Sequence, residues 1–400
     1  MNIASKAYCR VFQFGFKVAI PFLPYRNPDV LNRADQVPEY LKKQGKSSVL
    51  LVTDNVIRGL GITEHLEELI KESGIKLTVY DKVTPNPTVN EVEEAKELYI
   101  ENGCDALIGF GGGSSMDCAK AVGALIARPD ADLEKLGGML RVWAKTPLTI
   151  AVPTTAGTGS ETTVAAIVQD TDTGHKYALM DFPLIPDAAL LDPENTRTVP
   201  PAITAGTGAD VIVHAVEAYI GNSTTKLTRR EALRAVRLSF TYLKRAYKNG
   251  NDMKARRAMA RASYLAGSAF TVSYVGYAHA VSHSLSGRYN VPHGQTCGIL
   301  LPYVLDAYGP KINPQLHALA IAAGVADKEM SDAEAAANFK AALRTLWREI
   351  GIPETVAELK KEDIYMLAKK AAKEGNPVYP VPELMDANEL MQLYFDVLEK

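Results

Sequence analysis

The chain has 400 residues, 47% of them hydrophobic and 22% charged, enough to bury a large core and more typical of two packed domains than of one. Its 44 Lys and Arg against 46 Asp and Glu give a net charge of −2, which excludes the basic surplus of a nucleic-acid binder and an acidic interaction tail. A small-molecule substrate is the default. Cys9, Cys104, Cys118 and Cys297 are scattered without a CxxC pair, which argues against a thiolate zinc site and a disulfide framework and fits a reducing cytoplasm.

In chain order, the first feature is an apolar stretch from Val11 to Leu23. Lys17 interrupts it, it is too short to span a bilayer, and no clear small-residue cleavage site follows, so it reads as a packing segment with no membrane role. Short β-branched runs then alternate with helical stretches. Ser48 to Thr53, Lys76 to Tyr80, Asp105 to Phe110 and Leu148 to Pro153 read as buried strands, with helices over Ile62 to Ser73 and Asn90 to Asn102. The βαβα pattern predicts an α/β domain with a parallel sheet. The proline-rich segment Ile185 to Ala205 reads as a connection. Beyond about Thr204, helical periodicity takes over, as in Arg229 to Lys248, Asp252 to Ser273 and Asp332 to Ile350, and predicts an all-helical second domain. The expected division is 1–195 and 196–400.

Three glycines, Gly111 to Gly113, with Ser114 and Ser115, follow the third of these strands and open a helix. Such a turn lets backbone N–H groups approach a pyrophosphate at a helix N-terminus, and it also serves as an ordinary tight connection. It is not GxGxxG, so a modified Rossmann-like unit is implied. Asp54, at the end of the first of these strands, reads either as a ribose-hydroxyl acceptor that favours NAD over NADP or as a helix cap. The segment PTTAGTGSE, from Pro153 to Glu161, suits a cofactor lining or a self-bonded turn.

Four of the seven histidines, His214, His279, His283 and His293, fall within 80 residues. Asp210 and His214 are four apart in a helical stretch, as are His279 and His283, and His293 follows in a turn between Pro292 and Gly294. A lone histidine in an apolar helix is usually a core residue, but two such pairs and a turn histidine are harder to dismiss as core. A carboxylate with imidazoles suits Fe2+ or Zn2+ rather than Mg2+ or Ca2+. His65, His175 and His317 stand alone in surface-like segments.

The segments GGGSSMDCAK, PTTAGTGSE, GADVIVHAVEAY and AHAVSHSLSGRYNVPHG, in this order and spacing, resemble the iron-dependent (group III) alcohol dehydrogenases, a family that includes lactaldehyde reductase and 1,3-propanediol dehydrogenase. The resemblance spans roughly 48–305. It implies an N-terminal modified Rossmann-like domain, a helical C-terminal domain of the dehydroquinate synthase-like architecture, and an active site in the cleft between them. It further implies that Asp210, His214, His279 and His293 hold the metal, Fe2+ with Zn2+ as the other choice, while His283 serves as a proton relay or positions the cofactor. Along the dinucleotide it places Asp54, Asn86, Gly112, Gly113, Ser114, Asp117, Thr154, Thr155, Thr158, Thr163 and Lys176. The implied activity is hydride transfer between NAD(H) and a small alcohol or aldehyde in a cytoplasmic homodimer or larger assembly. The rival from another class is an NAD- and metal-dependent sugar-phosphate cyclase of the dehydroquinate synthase type, which requires a Lys/Arg cluster that is not evident beside these ligands. The N-terminal segment through Pro28 departs from the shorter glycine-bearing opening common in the family.

Overall fold

The computed structural model describes residues 1–171 and 175–399. They fall into two compact units: Pro24–Thr155 with Gly159–Thr198, and Met1–Leu23 with Ala156–Thr158 and Val199–Lys400.

The first unit is α/β. Among the described residues its nine strands are β1 (Asp29–Leu31), β2 (Ser48–Val52), β3 (Lys76–Tyr80), β4 (Ala106–Gly111), β5 (Gly138–Met139), β6 (Leu148–Pro153), β7 (Ala165–Gln169), β8 (Lys176–Met180) and β9 (Ala188–Leu190). Six form a wholly parallel sheet in the order β1-β9-β6-β4-β2-β3. The inner strands β2 and β4 are buried along their whole length, as continuous apolar runs covered on both faces should be. Leu50, Val52 and Leu107 point to one side, into a core with the helix Gly113–Ala127, while Val49, Leu51, Ile108 and Phe110 point to the other, into a core with Leu41, Leu66 and Ile70. The register pairs Val52 with Gly109 and Gly111 with Pro153, so the segments beginning at Asp54, Gly112 and Thr154 leave the sheet at its carboxyl edge, where open α/β sheets place their ligand sites.

The structure departs from the sequence reading in four places. The connection expected over 185–205 contains β9, inserted between β1 and β6, and Pro201 starts a helix that runs to Ile220. A three-residue strand is too short to show a period, and proline is well suited to the first helical turn. Strand β1 was missed for the same reason, so the glycine turn follows the fourth strand in the chain rather than the third. A separate sheet, β5-β8-β7, was not expected at all. Finally, Met1–Leu23 belongs to the helical unit rather than to the α/β unit. There the helix Ile3–Ala19 turns polar groups inward: Arg10 donates to the carbonyls of Val381 and Pro382, and Gln13 to those of Pro377 and Tyr379. Val11, Phe14 and Phe22 remain exposed.

The second unit is helical at every position that bears on the site. Pro201–Ile220 is its central helix, packed against Lys226–Lys248 and Met253–Ser273. At Gly208 a Cβ would collide with the Leu243 side chain, so that leucine packs directly on the bare helix backbone there. Tyr277–Tyr289 and His293–Tyr308 follow, joined by three residues with Asn290 in the left-handed conformation. Trp347, on the helix Asp332–Ile350, ties the last of these down through a 2.9 Å bond to the Gly298 carbonyl. No helix among the described residues is long and apolar enough to cross a membrane.

Candidate functional site

In the helical unit, Asp210, His214 and Glu217 project from the central helix, His279 and His283 from Tyr277–Tyr289, and His293 from the first turn of His293–Tyr308. The Nε2 atoms of His279 and His293 each lie 3.7 Å from Asp210 Oδ1. Donor atoms of Asp210, His279, His293 and Cys297 all fall within 4.8 Å of one another. His214 is stacked between Phe270, at 4.1 Å, and His279, at 4.5 Å. Of the four expected ligands the structure therefore gathers three into one tight group, with His214 against it, and adds Cys297. The expectation that no thiol takes part in a metal site considered only CxxC spacing; His293 and Cys297 stand one helical turn apart, the spacing that did reveal Asp210 with His214.

These atoms fit a cation. Asp210 Oδ1, His214 Nδ1 and His279 Nε2 are buried with no hydrogen-bond partner, an arrangement that costs each group its hydration unless a ligand replaces it. Burial pushes the metal-free His214 down to about 3 and His279 well below the ordinary imidazole value, so both rings are neutral with lone pairs available, the form that ligates metals. Burial raises Asp210, and the nearby His214 pulls it back.

Two acidic residues orient the imidazoles, and the sequence reading had named neither. Glu217, pushed up to about 7 by burial, accepts from His279 Nδ1 at 2.6 Å. Glu374 accepts from His283 Nδ1 at 2.6 Å and from the Tyr379 hydroxyl at 2.7 Å. His283 has a side chain 42% exposed and stacks on His293 at 5.0 Å. Desolvation opposes its charge, and the Glu374 carboxylate outweighs it, so its pKa stands above the usual imidazole value. Glu217 was readable, lying seven residues after Asp210 on the same helical face; Glu374, ninety-one residues from His283, carried no sequence signal.

In the α/β unit, Gly111 ends β4 at φ 153°, where a Cβ would collide with Ser115 Oγ and stand 3.4 Å from Asp54 Oδ2. Gly112 caps the helix Gly113–Ala127 with no side-chain hydrogen bond and open space around its Cα. Asp54 accepts from the Ile57 amide at 2.8 Å, so it does cap the following helix. Asn86, at φ 60°, has its amide on Ser114 Oγ and its side-chain carbonyl on Lys176 Nζ at 3.0 Å. Thr154 is buried, with its amide on the Gly111 carbonyl, and Thr155 is half-buried. Thr158 belongs to the helical unit.

Asp117 and Thr163 are committed to the protein itself. Asp117 accepts from Ser160 Oγ at 2.6 Å and the Ile167 amide at 3.1 Å. Thr163 Oγ1 accepts from Lys120 Nζ at 2.9 Å. Lys120, absent from the sequence-based list, is buried and also donates to Ser160 Oγ and to the carbonyls of Ser160, Thr163 and Ala165. Burial lowers it to about 8, against the attraction of Asp117 and Glu161. The side chains of Asp117 and Lys120 thus fasten the segment after PTTAGTG to the glycine-turn helix.

Comparison with known proteins gives this arrangement its family. The sequence profile for iron-containing alcohol dehydrogenase matches residues 31–193, and that for the C-terminal region of the Fe-containing alcohol dehydrogenase family matches 204–398. The chain belongs to the iron-containing alcohol dehydrogenase family. The NAD-dependent methanol dehydrogenase of Bacillus methanolicus is 35% identical over 338 residues, covering 84% of this chain and 88% of its own. The 1,3-propanediol dehydrogenase of Klebsiella pneumoniae is 34% identical, covering 90% and 93%. A solved 1,3-propanediol oxidoreductase superposes with a TM-score of 0.89 at 31% identity, over 94% of this chain and 99% of that one. These matches are to alcohol and propanediol dehydrogenases, and the cyclase alternative is not favoured.

Proposed function

We propose that this protein is a metal-dependent alcohol dehydrogenase that moves a hydride between a small alcohol or aldehyde and NAD(H), with Asp210, His214, His279 and His293 holding a divalent cation, iron in preference to zinc. The supporting observation is the set of buried donor atoms on Asp210, His214 and His279 that have no partner. When bound, the cation supplies Lewis-acid polarisation of the substrate oxygen. The protein's own residues do the rest. Asp210 brings the negative charge, and the neutral imidazoles offer lone pairs without adding charge. His283, held at Nδ1 by Glu374, leaves Nε2 to pass the alcohol proton towards solvent as the hydride goes to NAD+.

On the α/β unit, the Gly112 and Gly113 amides suit the pyrophosphate, and Asp54 suits a ribose hydroxyl, which favours NAD over NADP. Asn86, Ser114, Thr154, Thr155, Thr158 and Lys176 line the dinucleotide, while Asp117 and Thr163 shape its loop. The exposed apolar residues Val11, Phe14 and Phe22 support a homodimer or larger assembly, and the scattered reduced cysteines support a cytoplasmic setting.

The test is to purify the protein without chelators, determine its metal by elemental analysis, and follow NADH absorbance with short alcohols, diols and aldehydes. Wild-type turnover is expected, and His279→Ala should lose metal and turnover together, with affinity falling more than about 100-fold. Wild-type protein that carries the metal and binds NAD without ever changing its redox state across the panel would overturn the reading.

A further inference from the structure

The helix Tyr277–Tyr289 begins at Gly276 with no side chain of its own satisfying the first amides. That task falls to Glu217, on another helix and fully buried. Its Oε2 accepts from the Gly276 amide at 2.8 Å and from His279 Nδ1 at 2.6 Å, and its Oε1 accepts from the Ala278 amide at 2.8 Å. A Cβ on Gly276 would stand 2.7 Å from Oε1, so the chain leaves room for this carboxylate by omitting a side chain.

Both oxygens of Glu217 already accept from backbone amides, and in its ionised form the carboxylate offers only acceptors, so the His279 nitrogen facing it carries the hydrogen. The other nitrogen, Nε2, then keeps its lone pair, and it is the atom that is buried without a partner 3.7 Å from Asp210 Oδ1. One carboxylate thus fixes ring orientation, tautomer and the start of the helix that carries the ring. From this geometry we infer that Glu217 is a positioning residue that sets the His279 tautomer and aims Nε2 at the cation, so that it governs metal affinity without touching the metal. The inference rests on the metal reading proposed above. Glutamine at this position cannot serve three donors at once, because one of its two terminal atoms is itself a donor. Outer partners of this kind typically contribute 10–100-fold to metal affinity.

The experiment compares Zn2+ affinity of metal-free wild type and Glu217→Gln by competition with a chromophoric chelator, alongside the melting temperatures of both metal-free proteins. The expected result is an affinity loss of about 10–100-fold with metal-free melting temperatures within a few degrees. Unchanged affinity overturns the inference and leaves Glu217 as a helix cap alone. Nitrogen-15 spectra of histidine-labelled, metal-free wild type provide a readout that does not depend on the variant folding: His279 protonated on Nδ1 supports the inference, and His279 protonated on Nε2 overturns it. Wild type that binds no cation would instead overturn the metal reading itself and this inference with it, an outcome distinct from unchanged affinity in the variant.

Discussion

In the helical unit, Asp210, His214 and His279 hold buried polar atoms that nothing in the protein satisfies, whereas in the α/β unit Asp117, Thr163 and Lys120 are bonded to one another's segments. The first pattern stores unsatisfied desolvation that a ligand can relieve; the second is already closed and only shapes a surface. Polar burial therefore has two meanings in this molecule, and the count of hydrogen-bond partners separates them.

The largest effect that tests this contrast is expected at Lys120. Replacing it with methionine strands five acceptors and leaves the buried Asp117 without its cation, so Lys120→Met should lose roughly 3–5 kcal/mol of stability in denaturant titration at neutral pH. The pH dependence has a definite sign. Burial lowers Lys120 from 10.5 to about 8, so between those values the unfolded chain binds more protons than the folded one. The wild-type advantage over the variant should therefore grow as pH rises from 8 towards 10.5. An advantage that stays flat would mean that the lysine is not buried as a charge.

A smaller effect is expected at the metal group. Chelator treatment of the wild type should remove about 2.7 kcal/mol of stability if the cation is present at a hundred times its Kd, read as a fall in melting temperature that added Fe2+ or Zn2+ reverses. A melting temperature indifferent to chelator would break the contrast, because the orphaned atoms would then need no ligand.

The smallest belongs to Asp54, which already has one protein bond. Asp54→Ala should weaken NAD binding about tenfold, the equivalent of one charged hydrogen bond, and improve the relative use of NADP, measured as kcat/KM for the two cofactors. Equal loss for both cofactors would assign Asp54 to capping alone.

The sequence reading reached far in the interior of each unit and failed at its margins. Strands β2, β3, β4 and β6 were legible because each is a run of five or six residues rich in β-formers; β2, β4 and β6 are buried along nearly their whole length, and β3, at the sheet edge, only in part. Strands β1 and β9 were not, because three residues show no period and their place comes from pairing with distant strands. Asp210, His214, His279 and His283 were visible as one-turn pairs on helices. Asp117 and Thr163 were carried over from the family pattern, and their commitment to Ser160, Ile167 and Lys120 depends on a tertiary contact no local spacing reports. Cys297 was set aside because the cysteines form no CxxC pair, although His293, one helical turn before it, is its partner in space.

Only Asn290, Val291 and Pro292 separate the helix that carries His279 and His283 from the one that His293 opens. The turn therefore acts as a phase lock between two rotors. An inserted residue would lengthen this three-residue turn and displace His293, the first residue of the second helix, from its place beside Asp210 and His279. His293 would swing to a different bearing while Asp210 and His279 stayed in place. Loop length is usually a tolerant variable in proteins. Between these two helices the short turn keeps His293 beside Asp210 and His279.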